Sequence, residues 1–266
     1  MILLVKFIWM KAFKIFVPGF LLLGMSLVIA AVIYARQKSL NKNAEQGFAV
    51  VELFTSEGCS SCPPADELVA RIEKENSQNH IYILSYHVDY WDRLGWKDRF
   101  SDAVYTKRQN LYADWFNLQS IYTPQIVVNG KTEFVGSNEA ALRKAIDEGL
   151  KQSSTAGLSL KAIVENGKID ISYQVEGKIK NSELVIALVL KSAQTKVSAG
   201  ENAGHMLSHV QIVKTLQAET LHLNSGTISL ALPPDYNDTK FELIGFVQNE
   251  TRGHIQSAAR SVLTSH

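Results

Sequence analysis

Two cysteines separated by two residues, Cys59 and Cys62, are the only ones in a chain of 266 residues. No disulfide framework can therefore spread across the fold, and a body of this size must be held by an apolar core. A composition that is 46% hydrophobic and 20% charged supplies one and is not that of a disordered chain. The pair stands in Glu52-Leu-Phe-Thr-Ser-Glu-Gly-Cys59-Ser-Ser-Cys62-Pro-Pro-Ala-Asp66. A β-rich run over 48–54 leads into a turn, and Leu68, Val69 and Ile72 follow at helical spacing. The cysteines thus open a helix, where two sulfurs meet across one turn. The free N–H groups and dipole of a helix start favour thiolate over thiol, and thiolate attacks in disulfide exchange. Cys59 is then the nucleophile and Cys62 the resolving thiol. Glu57 opposes this by its charge, whereas Asp66 and Glu67 complement the helix start. Taken alone, the pair also fits half a zinc site or an inert structural disulfide; zinc would need histidines or carboxylates to complete it.

Further elements alternate up to residue 150. Residues 81–88 read as a second strand, 99–116 as a helix with Val104, Leu111 and Trp115 at spacings of seven and four, and 126–135 as a hairpin turning at Asn129-Gly130. Residues 138–150 read as a closing helix capped by Ser137 or Asn138. After a linker at 151–157 the character changes. Strands are expected at 158–164, 169–175, 184–190, 210–216, 227–232 and 241–247, with 254–259 as a further candidate. Asn166-Gly167 marks the strongest hairpin, with Ile169, Ile171, Tyr173 and Val175 facing inward. The expected architecture is an α/β domain over 47–150 followed by an all-β sandwich-like domain over 158–266.

Residues 15–35 carry no charge, a length that spans a bilayer as a transmembrane helix; residues 1–46 are accordingly expected to be a signal anchor and tether. Cleavage as a signal peptide is the alternative. The remaining residues hold 21 bases and 25 acids, and a mildly acidic body without a basic stripe argues against nucleic acid as partner. The cysteine chemistry has most use in an oxidising compartment, which places the body in the periplasm or outside the cell.

Ile121-Tyr-Thr123-Pro124 puts a proline just before the hairpin. Within a sheet proline is tolerated only at such a first position, where a cis Thr123–Pro124 bond makes a tight turn. A cysteine pair at a helix start after the first strand, with Thr-Pro before a terminal hairpin and helix, resembles the thioredoxin fold. That resemblance implies that Thr123 and Pro124 lie against the cysteines and offer backbone to a substrate strand. The strings VELFTSEGCSSCPPAD, YHVDYWDRLGWKD, YTPQIVVNG and GENAGHMLSHVQIVK are similar to domain-of-unknown-function family 1223, over nearly all of 47–262. Membership implies a secreted or anchored bacterial protein, here at the inner membrane with its domains outside, with a thioredoxin-like domain followed by a β-rich one. Ser60-Ser61 replaces the Gly-Pro common in thioredoxins, so redox direction does not carry over.

Glu52 is an acid within an apolar run, either a proton relay for the resolving cysteine, one residue from the thioredoxin position, or a structural hydrogen-bonded acid. His87 and Asp89 share one face at a strand end by period-two alternation, as an acid/base partner for Cys59, a metal ligand, or a core histidine with a capping aspartate. Fourteen of the aromatic residues lie in 46–152 and four in 153–266. Trp91, Trp96, Tyr90 and Tyr122 flank the site as groove or as core. His205 and His209, near Glu201, lie in a loop–strand setting unsuited to metal. The leading expectation is a thiol–disulfide oxidoreductase without cofactor, acting on protein thiols or disulfides through Cys59, Cys62, Thr123, Pro124, Glu52, His87 and Asp89. A module binding copper or another metal through Cys59, Cys62 and His87 is one alternative. A non-enzymatic scaffold with a structural disulfide is the other.

Overall fold

A computed structural model describes residues 47–75, 80–154 and 156–265, together with Met25, Ile29, Ala31 and Val32. The run expected to span a membrane lies outside the described residues except for those four. Among the described residues no helix is long and apolar enough to cross a membrane.

Strand β1 (Ala49–Thr55) is buried along its whole length. It pairs in parallel with β2 (Ile81–His87), register Ala49↔Ile81 to Thr55↔His87. A continuous apolar run suits such a strand, because helices cover both of its faces. Val51 and Leu53 pack with Leu68, Val69 and Ile72 of α1 (Pro63–Glu75) and with Leu142 and Ile146 of α3 (Glu139–Lys151). Val50 and Phe54, on the opposite face, pack with Tyr105 and Tyr112 of α2 (Ala103–Phe116). Pro63 and Pro64 open α1, where their missing N–H groups cost nothing. Asp102 caps α2 by accepting from Val104 N, and Asn117, in the left-handed region at φ 56°, ends it. The buried face of α2 is one position away from the expected one. Val104 and Leu111 are exposed, while Tyr105, Arg108 and Tyr112 point inward. The reason is a charge pair described below, which simple apolar spacing does not register.

Strands β3 (Gln125–Val128) and β4 (Thr132–Val135) form the expected hairpin beside β1. Asn129 and Gly130 both have positive φ, 52° and 60°, as a two-residue turn of this kind requires. The second hairpin, β5 (Gly157–Glu165) and β6 (Lys168–Glu176), turns at Asn166 and Gly167 with φ 51° and 77°.

The expectation of an α/β thioredoxin-like domain followed by a separate sandwich-like domain is overturned by the sheet topology. Strands β7 (Ser182–Lys196), β8 (Met206–Thr220), β10 (Phe241–Asn249) and β11 (Ile255–Ser261) continue the same sheet as β1 and β2, in the order β11-β10-β7-β8-β2-β1-β3-β4. The protein is built on one eight-stranded mixed sheet and is mostly β. A smaller sheet, ordered β12 (Leu263–Ser265), β5, β6 and β9 (Ser225–Ala231), accompanies it over an apolar core that includes Ile171, Leu188 and Leu243.

The physical reason is the far edge of β2, a fully buried strand that would otherwise present unpaired backbone groups. Strand β8 covers that edge in parallel at Ser85↔Ile212, where Ser85 Oγ also donates to Val210 O at 2.8 Å. A register shift between Leu188 and Val189 bends the ladder that joins β8 to β7. Both strands are 15 residues long, about twice the apolar runs that mark them in the sequence.

Candidate active site around the Cys59–Cys62 disulfide

Cys59 and Cys62 form a disulfide with Cα atoms 5.4 Å apart, in the turn between β1 and α1. Cys62 N donates to Cys59 O at 3.2 Å, and Ala65 N to Cys62 O at 2.9 Å, so the pair leads directly into the helix. Both cysteines are fully buried, whereas Ser60 and Ser61 between them are exposed. Ser61 Oγ lies 3.4 Å from Cys59 Sγ and donates to Thr123 O at 3.5 Å. The Thr123–Pro124 peptide is cis. Gly136, after β4, sits so close that an added Cβ would lie 2.9 Å from Pro124 Cβ and 3.1 Å from Ala65 Cβ. Only glycine lets the hairpin end, the proline loop and α1 approach in this way.

A strap from the second half of the chain lies over the cysteine turn. Asn202 Nδ2 donates to the carbonyls of Glu57 (2.9 Å) and Cys59 (3.0 Å), and the Glu201 carboxylate accepts from Ser60 N at 3.0 Å. Hydrogen bonding from the Ser60 side chain first, and then from its backbone N–H, holds the Glu201 carboxyl below its ordinary range. Gly200, at φ 74°, turns the strap against Trp96. Trp96 Nε1 donates to Glu57 Oε2 and Trp91 Nε1 to Thr123 Oγ1, both at 2.8 Å. The two indoles therefore fix the polar rim and are not only core packing.

Behind the turn is a buried ionisable group. His209 on β8 stands between Asp66 (Nδ1···Oδ1 3.4 Å) and Glu57 (Nε2···Oε1 3.5 Å). At these distances both are ion contacts more than linear hydrogen bonds. Burial pulls the His209 pKa down, but the two flanking carboxylates outweigh it and raise the value from 6.5 to about 10. His209 is thus an imidazolium at neutral pH. Asp66 is four residues beyond Cys62, on the same helix face, and also accepts from Thr55 Oγ1 at 2.9 Å.

His87 is placed next to this group: its ring meets that of His209 edge to face with centroids 4.7 Å apart. Its Nδ1 donates to Asp98 Oδ2 at 2.6 Å, and the same carboxylate oxygen accepts from Glu57 N at 2.8 Å. Burial raises the Asp98 pKa, but His87 and the backbone N–H groups of Glu57 and Phe100 lower it further, so the net shift is downward.

Two of the expected site residues lie elsewhere. Glu52 projects from the α2 face of β1, opposite α1, and is ion-paired to Arg108 at 2.6 Å with a further short hydrogen bond from Tyr112 OH. Asp89 begins a 3₁₀ helix (Asp89–Leu94), so strand alternation stops before it; its Oδ1 accepts from Thr106 Oγ1 at 2.6 Å. Cys59, Cys62 and His87 are not grouped as metal ligands, and among the described residues no three His, Cys, Asp or Glu side chains are placed to hold a metal ion.

Sequence reasoning gave Glu57 and Asp66 only local electrostatic parts and left out Asp98, Asn202 and the ionic role of His209. Their signal was present in the strings YHVDYWDRLGWKD and GENAGHMLSHVQIVK, which contain Asp98, Glu201, Asn202 and His209. Residues 50–248 match the model of the family described as "Protein of unknown function (DUF1223)". The chain belongs to DUF1223. The DUF1223 match encloses the cysteine turn, the Thr-Pro loop, the strap and His209 alike.

Among solved structures, protein AGR_C_4864 from Agrobacterium tumefaciens is 27% identical, with a TM-score of 0.63 over 82% of this chain and 95% of that one. A domain of the outer membrane lipoprotein Omp28 from Porphyromonas gingivalis is 10% identical, covering 43% of this chain and 93% of that one at a TM-score of 0.27. A DUF3823 family protein from Bacteroides ovatus is 9% identical, covering 41% and 56% at a TM-score of 0.27. The last two are too dissimilar to carry an argument. No curated protein matches the chain.

Proposed function

We propose that the protein is an extracytoplasmic thiol–disulfide oxidoreductase acting on protein thiols through Cys59 and Cys62. The observation that carries this reading is the buried His209 ring held between the carboxylates of Glu57, two residues before Cys59, and Asp66, four residues after Cys62. A structural disulfide needs no such group, and burying charge is costly unless it has a use. A client thiolate attacks Cys59 Sγ, the Cys59–Cys62 bond breaks, and Cys62 leaves as thiolate. A second client thiolate then attacks the client sulfur of the mixed disulfide and releases Cys59, so the client loses two electrons and the protein gains them. In this reading the His209 imidazolium offsets the charge of the departing Cys62 and supplies its proton, and Asp66 and Glu57 hold the ring in position. Thr123 O, reached by Ser61, is the backbone acceptor for an extended client. An oxidising compartment keeps the disulfide form available.

One observation favours a second reading, an inert structural disulfide: both cysteines are fully buried beneath the strap. A trapping experiment separates the two. With Cys62→Ser, Cys59 should accumulate mixed disulfides with reduced protein clients after oxidation. The absence of any adduct, with a reduction potential below about −300 mV for the native pair, would establish the structural role.

A further inference from the structure

A cavity of about 130 Å³ lies where α1, β2, β7, β8, β10 and β11 meet, lined among others by Glu73, Ile83, Lys191, Gln211, Glu242 and Arg260. It is at the other end of α1 from the cysteines: Ile72, in its wall, is ten residues past Cys62, roughly 15 Å along the helix. Its volume is several times what a single water needs.

Two features set it apart from a packing defect. Gln211 and Glu242 are 4% and 8% exposed, and each has an oxygen, Oε1 in both, that is buried without a hydrogen-bond partner. Unpaired buried acceptors cost free energy comparable to a lost hydrogen bond, and a carboxylate oxygen costs more than an amide one. Gln211 also adopts φ 54°, the left-handed region that a non-glycine residue in a strand rarely enters. It does so at the one position on β8 between the Val210 and Ile212 pairs where the β7 ladder leaves it without a partner. The irregularity lifts Gln211 out of the ladder at the wall of the cavity.

The lining also defines the ligand. Both orphaned atoms are acceptors, so the deep end requires a donor. Glu242 has its other oxygen 3.1 Å from Arg260 Nε, leaving Oε1 to carry its share of negative charge toward the cavity. The mouth is basic on one side: Lys191 is exposed and spends one donor on Thr239 O at 3.1 Å, and Arg260 is more than a third exposed. Glu73, half-buried on α1, is the other acid of the lining. We infer that this cavity binds a small zwitterion, an α-amino acid with a minimal side chain, its ammonium group on Gln211 Oε1 and Glu242 Oε1 and its carboxylate toward Lys191. This site is independent of the cysteine chemistry.

Calorimetric titration of the full chain with glycine and alanine tests it, with methylammonium and acetate as half-ligands. Saturable binding of glycine or alanine at millimolar concentration or below is expected, at least about tenfold tighter than either half-ligand. Glu242→Gln, which retains shape but loses charge, should weaken glycine about tenfold. Lys191→Gln, at an exposed position that does not threaten folding, should weaken it roughly threefold or more. Absence of saturable binding, methylammonium binding as tightly as glycine, or affinity unchanged in both variants would each overturn the assignment and leave water as the occupant.

Discussion

The two ends of the protein bury different kinds of side chain. Beneath the four-stranded sheet lies an apolar cluster, with Leu158, Ile171, Ile186, Leu188, Leu230 and Leu243 among its members. Around the cysteine turn Glu57, Asp66, His87, Asp98 and His209 are all at most 4% exposed, and Glu52 and Arg108 form a further buried pair on the opposite face of β1. The first arrangement obtains stability from area removed from water and needs little directional precision. The second starts with a desolvation penalty of several kcal/mol per ion and recovers it only where every charge meets a partner. A chain that could have filled both ends with leucine instead surrounds one disulfide with ions. The difference is between a core held by apolar area and a disulfide turn surrounded by buried, partnered charge.

The sharpest way to break that contrast is to remove one ion. Arg108 donates to Glu52 at 2.6 Å, to Gln248 Oε1 at 3.1 Å and to Tyr112 OH at 3.2 Å. Arg108→Met leaves the Glu52 carboxylate buried and unpaired, and urea unfolding should show a loss of about 4 kcal/mol. Glu52→Leu in the same chain should restore most of it. If the single substitution costs less than about 1 kcal/mol, the buried charges are no more demanding than the apolar core.

This network also explains what was legible in the sequence and what was not. Local signals carried far: the hairpins at Asn129-Gly130 and Asn166-Gly167, the helix starting at Pro63, and the Thr-Pro turn are set by residues within a few positions of one another. The partition into two domains did not survive, because nothing in the apolar run of β8 says that its Ser85↔Ile212 pairing crosses to a strand more than 120 residues earlier. The face of α2 was misread for a related reason. Arg108 belongs inside only because Glu52 waits on β1, and spacing rules treat an arginine on a helix as a surface residue. His209 looked unsuitable as a metal ligand on its own segment, and its actual partners, Glu57 and Asp66, are supplied by another element 143 or more residues away.

Proton linkage gives a second, smaller test. The His209 pKa is raised to about 10 from 6.5, so its stabilising contribution is complete below about pH 6.5 and is lost as pH rises through about 10. Wild-type stability should therefore decline across that window. His209→Gln should cost about 3 kcal/mol near pH 6, where the charge is fully formed, and the gap to wild type should close by pH 10 or above. Leu188→Ala, in the apolar core, should cost a similar amount at every pH, because it removes volume and not charge. Parallel pH profiles for the two variants would show that Glu57 and Asp66 do not hold an imidazolium between them.

The smallest effect on stability is expected from the strap, and there the two ends differ in kind. Asn202→Ala removes the bonds to Glu57 O and Cys59 O, and the freed carbonyls lie near solvent-exposed Ser60 and Ser61. Unfolding should change by only about 1 kcal/mol, since water replaces part of what is lost. Reduction of the disulfide by dithiothreitol should nevertheless accelerate about fivefold, because the same free energy now favours opening the cover. An alanine of equal cost beneath the four-stranded sheet should leave that rate unchanged. If Asn202→Ala leaves it unchanged as well, the sulfurs are shielded by the Thr123–Pro124 loop and α1 and not by the strap.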